Sequence, residues 1–255
     1  MRWACVGFGN VGQAIVSKLT NENTPPQQIL VRTINKNLQG FTNSCFIDTY
    51  ELLHPDLEFV LLCVPDKTIE EVAKQIVNGL PEVTVVHTSG TVSLEKLTQH
   101  TMRCGVIYPL QTFSVGFQPD WVEVPVLLEA TEKARPIIRH FAQQLVKEPI
   151  WVTSEDRATI HLGAVWAANF VNLMAWIADD IIEPTGNSYR LYLPLMRQVI
   201  EKLTALSPKL AQTGPAKRND TTTIQQHLEL LTKRYPEVAS IYRELSHQIQ
   251  KKTSP

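Results

Sequence analysis

Along the first 150 residues, apolar positions cluster in short β-branched runs separated by segments of helical period. Residues 3–6 (WACV) read as a strand, and 10–20 as a helix. Further strands are expected at 29–33, 58–64 (EFVLLCV), 84–87, 105–108, 124–129 and 149–152. Helices are expected at 68–77, 94–97 and 132–146, the last with Pro136 near its first turn. Strands alternating with helices imply parallel βαβ units and a sheet covered on both faces.

The pattern changes after Thr153, which with Asp156 forms a T-x-x-D helix-start signal. A nearly all-apolar helix follows to about residue 182, where Pro184 stops it. Residues 193–206 are amphipathic, with Leu195, Val199, Leu203 and Leu206 on one face. Ile224, Leu228, Leu231 and Tyr235 mark another helix, and Val238, Ile241, Tyr242, Leu245 and Ile249 the last. The expected architecture is therefore α/β: a mostly parallel-sheet domain over 1–152, then an all-helical domain over 153–255. The long apolar stretch carries His161, Asn169 and Asn172 and is followed by Asp179 and Asp180. It is expected to be a buried helix rather than a membrane span. It needs cover on every side, and part of that cover is expected from a second subunit, giving a homodimer through the helical domain.

Composition narrows the function classes. A formal net charge of -1 without long basic or acidic runs argues against a nucleic-acid or membrane-surface footprint. None of the four cysteines is spaced as CxxC, and Cys5 and Cys63 sit inside apolar runs, which fits a reducing cytoplasm. The N-terminal MRWACVGFGN runs straight into glycines and does not read as a signal peptide. No metal-ligand spacing is present, and Ser89 lacks the G-x-S-x-G context of a nucleophile.

The strongest motif is Gly7-Phe8-Gly9-Asn10-Val11-Gly12, a G-x-G-x-x-G that follows a strand and opens a helix. Gly7 permits the tight turn, Gly9 lets a pyrophosphate approach the backbone, and Gly12 lets the helix pack close to the strand. The helix N-terminus presents N–H groups to the phosphates. This is the Rossmann dinucleotide fingerprint in its confirming context. An NAD site places an acid about 20 residues further on. Here the second strand runs into Arg32-Thr33-Ile34-Asn35-Lys36, with no acid. Arg32 can hold a 2′-phosphate and Thr33 can add a hydroxyl, so NADP(H) is expected over NAD(H); an ordinary solvated arginine is the alternative. Val64 and Pro65 at the end of the EFVLLCV strand are expected beside the cofactor, at the carboxyl edge of the sheet. His87 and Ser89 of HTSG lie at the same edge, either facing a substrate or forming a plain turn capped by the serine.

The ordered set GFGNVG, CVPD, HTSG, YPLQTF (108–113) and QTGPAKRND (212–220) resembles a Rossmann-like oxidoreductase family whose C-terminal domain is one of unknown function. That family belongs with the 6-phosphogluconate-dehydrogenase-like group. Deazaflavin-dependent NADP reductase and pyrroline-5-carboxylate reductase are its relatives in the N-terminal half. The resemblance implies an NADP-type fold, a helical C-terminal domain and dimerisation through it, with no implied substrate. In related β-hydroxyacid dehydrogenases a lysine one turn before an asparagine does the acid–base work. Asn169 matches that asparagine, but Val165 stands where the lysine would be, so that mechanism does not carry over.

Other chemistry must be sought on the same helix. His161, Val165, Asn169 and Asn172 are spaced to share one helical face. They read either as a site, with His161 as acid/base and Asn169 orienting a carbonyl, or as polar groups satisfied by neighbouring helices. Gln111 is a further substrate candidate. Lys217 and Arg218 can bind a substrate carboxylate or phosphate, or stand exposed, while Asp220 is suited to capping the next helix. The leading expectation is a cytoplasmic NADP(H)-dependent oxidoreductase acting on a small carbonyl, imine or hydroxy acid, with its site between the two domains. The alternatives are a non-catalytic NADP(H)-binding sensor or assembly protein, and an enzyme with a flavin-type hydride partner.

Overall fold

A computed structural model describes residues 1–34, 44–114 and 116–253. Internal contacts divide the chain into two units, Met1–Ala168 and Asn169–Pro255. Asn35 and Lys36 lie outside the described residues.

The first unit is built on one eight-stranded sheet in the order β3-β2-β1-β4-β5-β6-β7-β8. Its strands are β1 (Trp3–Val6), β2 (Gln28–Leu30), β3 (Cys45–Ile47), β4 (Phe59–Leu62), β5 (Thr84–His87), β6 (Cys104–Pro109), β7 (Val126–Ala130) and β8 (Ile150–Trp151). All neighbours pair in parallel except β6 with β7. The helices are α1 (Asn10–Asn21), α2 (Ile69–Gly79), α3 (Glu95–Thr98), α4 (Arg135–Ala142) and α5 (Ser154–Ala164).

Side chains alternate across the pleat and fill a core on each face. Trp3 and Cys5 of β1 point into one, packed with Phe59 and Phe141, whose rings stack with centroids 4.4 Å apart. Ala4 and Val6 point into the other, with Val60, Leu62, Ile69 and Ile76. Full burial on both faces is what near-continuous apolar strands such as FVLL predict.

Several boundaries depart from the sequence reading. The expected 132–146 helix is regular only over α4. Strand β2 ends at Leu30, which leaves Arg32 and Thr33 in a bend beyond it. Strand β3 was not anticipated: only three residues long, it has one buried side chain, so its alternation is too short to register. Thr153 caps α5 as its motif suggests, accepting from Asp156 N at 3.1 Å.

A π turn (Val165–Asn169) joins α5 to α6 (Phe170–Ile182). Its wide pitch breaks the regular stacking expected of His161, Val165, Asn169 and Asn172.

The second unit continues with α7 (Leu193–Ala205), α8 (Pro208–Ala211), α9 (Thr221–Arg234) and α10 (Pro236–Thr253). Helices α9 and α10 pair, and Tyr235 Oη donates to Asp180 O at 3.0 Å. Among the described residues one stretch, Ser154–Thr185, is long and apolar enough to cross a membrane. The burial expected for it is not found: Ile182 is the only fully buried side chain of α6, and Trp176 is 64% exposed.

Candidate functional site: the carboxyl edge of the sheet

Strands β1, β2, β4, β5 and β6 run in one direction, so the loops after them collect at one edge. The strand order reverses about β1, which is where open α/β sheets bind their ligands.

The three motif glycines occupy three different environments. Gly7 has φ +90°, and a Cβ there would lie 2.3 Å from Cys63 O. At Gly12 a Cβ would lie 2.6 Å from Gly7 O, so the helix can approach the turn only without a side chain. At Gly9 a Cβ would meet nothing within 4 Å; it would project into open space. No side chain caps the N-terminus of α1. A tight turn, a close helix and an open cradle beneath uncapped N–H groups fit a pyrophosphate.

Beside this turn lies a cavity of about 930 Å³. Gly7, Phe8, Gly9, Arg32, Thr33, Val64 and Pro65, all named as candidate cofactor contacts from the sequence, line it. Asn10, Val11 and Gly12 do not. The Asn10 amide instead donates to Phe113 O at 3.0 Å, tying the YPLQTF loop to the first turn of α1. Tyr50, Lys67, Thr68 and Gln75 also line the cavity, and the sequence reading missed them. The available clue was the position of Lys67, directly after CVPD at a strand's carboxyl end. Glu71 is an acid in the same cavity, hydrogen-bonded by Gln75 Nε2 at 2.9 Å. Arg32 is exposed, with no ion pair among the described residues.

The next two loops are tied together. Thr91 Oγ1 donates to Asp66 Oδ2 at 2.8 Å, and Thr88 Oγ1 to Leu62 O at 3.2 Å. Ser89 Oγ accepts from the backbone N–H groups of Thr91 and Val92 at 3.1 and 3.0 Å, the capped-turn alternative. His87 is fully buried, and its Nδ1 accepts from Ser89 N at 3.1 Å. Burial, with a smaller contribution from the Arg157 charge, lowers its pKa to about 3, so the ring stays neutral. Ser89 thus forms the capped turn, while the buried His87 Nε2 has no hydrogen-bond partner among the described residues. Gln111 is exposed, and its Oε1 accepts from Thr112 N at 2.8 Å.

His161 of α5 meets Tyr108 of β6: Tyr108 Oη and His161 Nδ1 are 2.8 Å apart. Both side chains are partly buried. One turn earlier, Arg157 is fully buried, paired with Glu129 and donating to Val92 O. Ser154 Oγ also donates to Glu129 Oε2 at 2.8 Å. This strut fastens α5 to β7 and to the loop after β5, and so sets where His161 stands.

In the second unit, Asn169 and Asn172 are exposed, so no burial obliges either to find a partner. Asp220 caps α9 by accepting from Thr223 N at 3.0 Å, a bond that holds its carboxyl below the usual range. Lys217 Nζ donates to Gln212 O at 2.7 Å, and Arg218 is exposed.

Two family models match the chain. Residues 2–90 match "NADP oxidoreductase coenzyme F420-dependent", and residues 124–249 match "Domain of unknown function (DUF2520)". No curated protein sequence matches. A crystal structure from Bacteroides fragilis, assigned as an NADP oxidoreductase, is 29% identical with a TM-score of 0.90, covering 98% of each chain. At 12% and 15% identity the likeness is of fold alone. Pyrroline carboxylate reductase of Plasmodium falciparum, with NADP bound, has a TM-score of 0.60 over 100% of this chain and 98% of that one. An imine reductase of Myxococcus stipitatus, in complex with NADP+, has a TM-score of 0.63 over 98% and 92%. Residues 2–90 thus match the coenzyme-F420-dependent NADP oxidoreductase family and residues 124–249 the DUF2520 domain, on a fold shared along the chain with the Bacteroides fragilis structure.

Proposed function

We propose that the protein is an NADP(H)-dependent oxidoreductase that reduces a small carbonyl or imine, or oxidises the corresponding hydroxy acid or amine. The observation that carries this reading is the glycine turn, closed at Gly7 and Gly12 and open at Gly9, beside a cavity that holds Arg32. NADPH supplies a hydride when bound. The chain's residues bind it, orient the substrate and move a proton, with His161 as the acid. The preference for NADP(H) rests on Arg32 and Thr33, with Lys67 a second cation in the same cavity. Arg32→Ala should weaken NADPH binding about tenfold, the scale of a charge-assisted phosphate contact, and leave NADH nearly unchanged. Fluorescence titration with both cofactors checks this; equal losses for both would remove Arg32 from the 2′-phosphate.

The protein acts as a homodimer in this reading, with a second copy covering the apolar side chains of α6 and α7. Trp176, Leu195 and Ile200 are each more than 60% exposed. Single chains rarely leave such surface open, and a twofold-related copy covers matching patches at once. The double variant Trp176→Glu/Leu195→Glu should halve the mass seen by light scattering. An unchanged mass would place the interface elsewhere. The four free cysteines suit a cytoplasmic setting.

A further inference from the structure

We propose that Tyr108 and His161 form one acid–base dyad, in which Tyr108 holds the imidazole by Nδ1 so that Nε2 is the nitrogen that exchanges a proton with substrate. The proposal rests on the oxidoreductase reading above and adds the positioning residue and the working nitrogen.

Three motifs that are far apart in sequence converge here. Tyr108 comes from YPLQTF, Gly90 from HTSG and His161 from the apolar helix. Tyr108 Oη lies 2.8 Å from His161 Nδ1, with the rings edge-on and their centroids 5.7 Å apart. Gly90 is the clearance both rings need. A Cβ there would lie 2.7 Å from His161 Nδ1, 2.8 Å from His161 Cγ and 2.9 Å from Tyr108 Cζ. A residue with any side chain at 90 would push the pair apart.

The partnership suits both protonation states of the ring. A phenol hydroxyl can donate to a bare Nδ1 or accept from Nδ1–H, so it follows the histidine through a cycle. Partial burial, with the Asp66 charge after β4 adding to it, raises the Tyr108 pKa and keeps the hydroxyl protonated. Arg157, one turn back on α5, is neutralised by Glu129. Among the described residues the His161 hydrogen bond is made through Nδ1, which leaves Nε2 for a substrate. In the reducing direction Nε2–H of the imidazolium gives its proton to the substrate oxygen or nitrogen as the adjoining carbon takes the hydride. The ring keeps its Nδ1 proton, and Nδ1–H donates a hydrogen bond to Tyr108 Oη. In the oxidising direction Nε2 takes the proton back. The dyad lies at the carboxyl edge of β5 and β6, the edge that also carries the glycine turn. An oriented histidine in that place is a general acid of the usual kind.

The test uses the full-length protein with NADPH and a probe panel of 1-pyrroline, pyruvate, glyoxylate and succinic semialdehyde. Wild type is expected to reduce at least one probe. Tyr108→Phe keeps the ring and removes the hydroxyl. It should lower kcat about tenfold or more, move the limb of the pH profile, and leave KM for NADPH within about twofold. Gly90→Ala should reproduce that pattern. The ¹⁵N signal of His161 Nδ1 should move in Tyr108→Phe while its NADPH affinity stays. Tyr108→Phe with wild-type kcat and pH profile overturns the dyad and leaves the oxidoreductase reading standing. A wild type inert on every probe overturns that reading, and the dyad's catalytic role with it.

Discussion

Gly9→Ala should abolish tight NADPH binding while leaving the fold intact, whereas Gly7→Ala should damage both. The contrast follows from where each added methyl goes. At Gly9 it meets no protein atom within 4 Å, so the thermal midpoint should be unchanged. It enters the space that the pyrophosphate would fill, and an affinity loss of about 100-fold, near 2.7 kcal/mol, is expected. At Gly7 it lies 2.3 Å from a backbone oxygen, at φ +90°, where L-residues are strained. Relief requires the β4 loop to shift, so both stability and affinity fall. Calorimetric titration with NADPH and thermal unfolding of both variants check the pair. Wild-type affinity in Gly9→Ala would show that the open space holds no phosphate.

Removing either partner of the Arg157–Glu129 pair should cost about 3–5 kcal/mol of stability, because it strands a buried charge. Arg157 is fully buried, and Glu129 largely so. Denaturant unfolding of Arg157→Met and Glu129→Gln measures the loss. The double variant Arg157→Met/Glu129→Leu should recover much of it, since neither charge is then left alone. Single variants within about 1 kcal/mol of wild type would show that the strut is not structural. His87 adds an acid sensitivity to the same region. Its folded pKa lies near 3, against an ordinary 6.5. The unfolded chain therefore binds a proton that the folded chain refuses. The stability this gives is full above pH 6.5 and falls as pH drops towards 3.

Much of this edge was legible in the sequence. The glycine spacing after WACV assigns a tight turn to Gly7 and a close helix to Gly12, as the structure has them, and leaves the space above Gly9 open. The alternation of apolar runs reproduces the strands of the sheet apart from β3, where alternation over three residues carries little signal. Contacts between distant segments were not legible. Nothing in YPLQTF says that its tyrosine meets a histidine 53 residues on. The burial of His87 and Ser89 was hidden for the same reason: a polar residue at a strand end reads alike whether it faces a ligand or its own turn. The long helix gave a third lesson. Its all-round apolarity was plain, but periodicity does not say which surface covers it.

The hydrogen bond from Asn10 to Phe113 O has a thermodynamic consequence. Asn10 opens the helix whose N-terminus faces the glycine turn, and Phe113 closes the loop that carries Gln111. Phe113 also touches the buried Trp121, 6.1 Å between ring centroids. A dinucleotide that steadies the start of α1 steadies this loop through the same bond. Linkage is reciprocal, so a substrate that orders the loop must tighten the dinucleotide by an equal free energy. In the proposed reaction one side-chain amide would thereby couple dinucleotide and substrate, with the Trp121 indole as an optical reporter of that coupling.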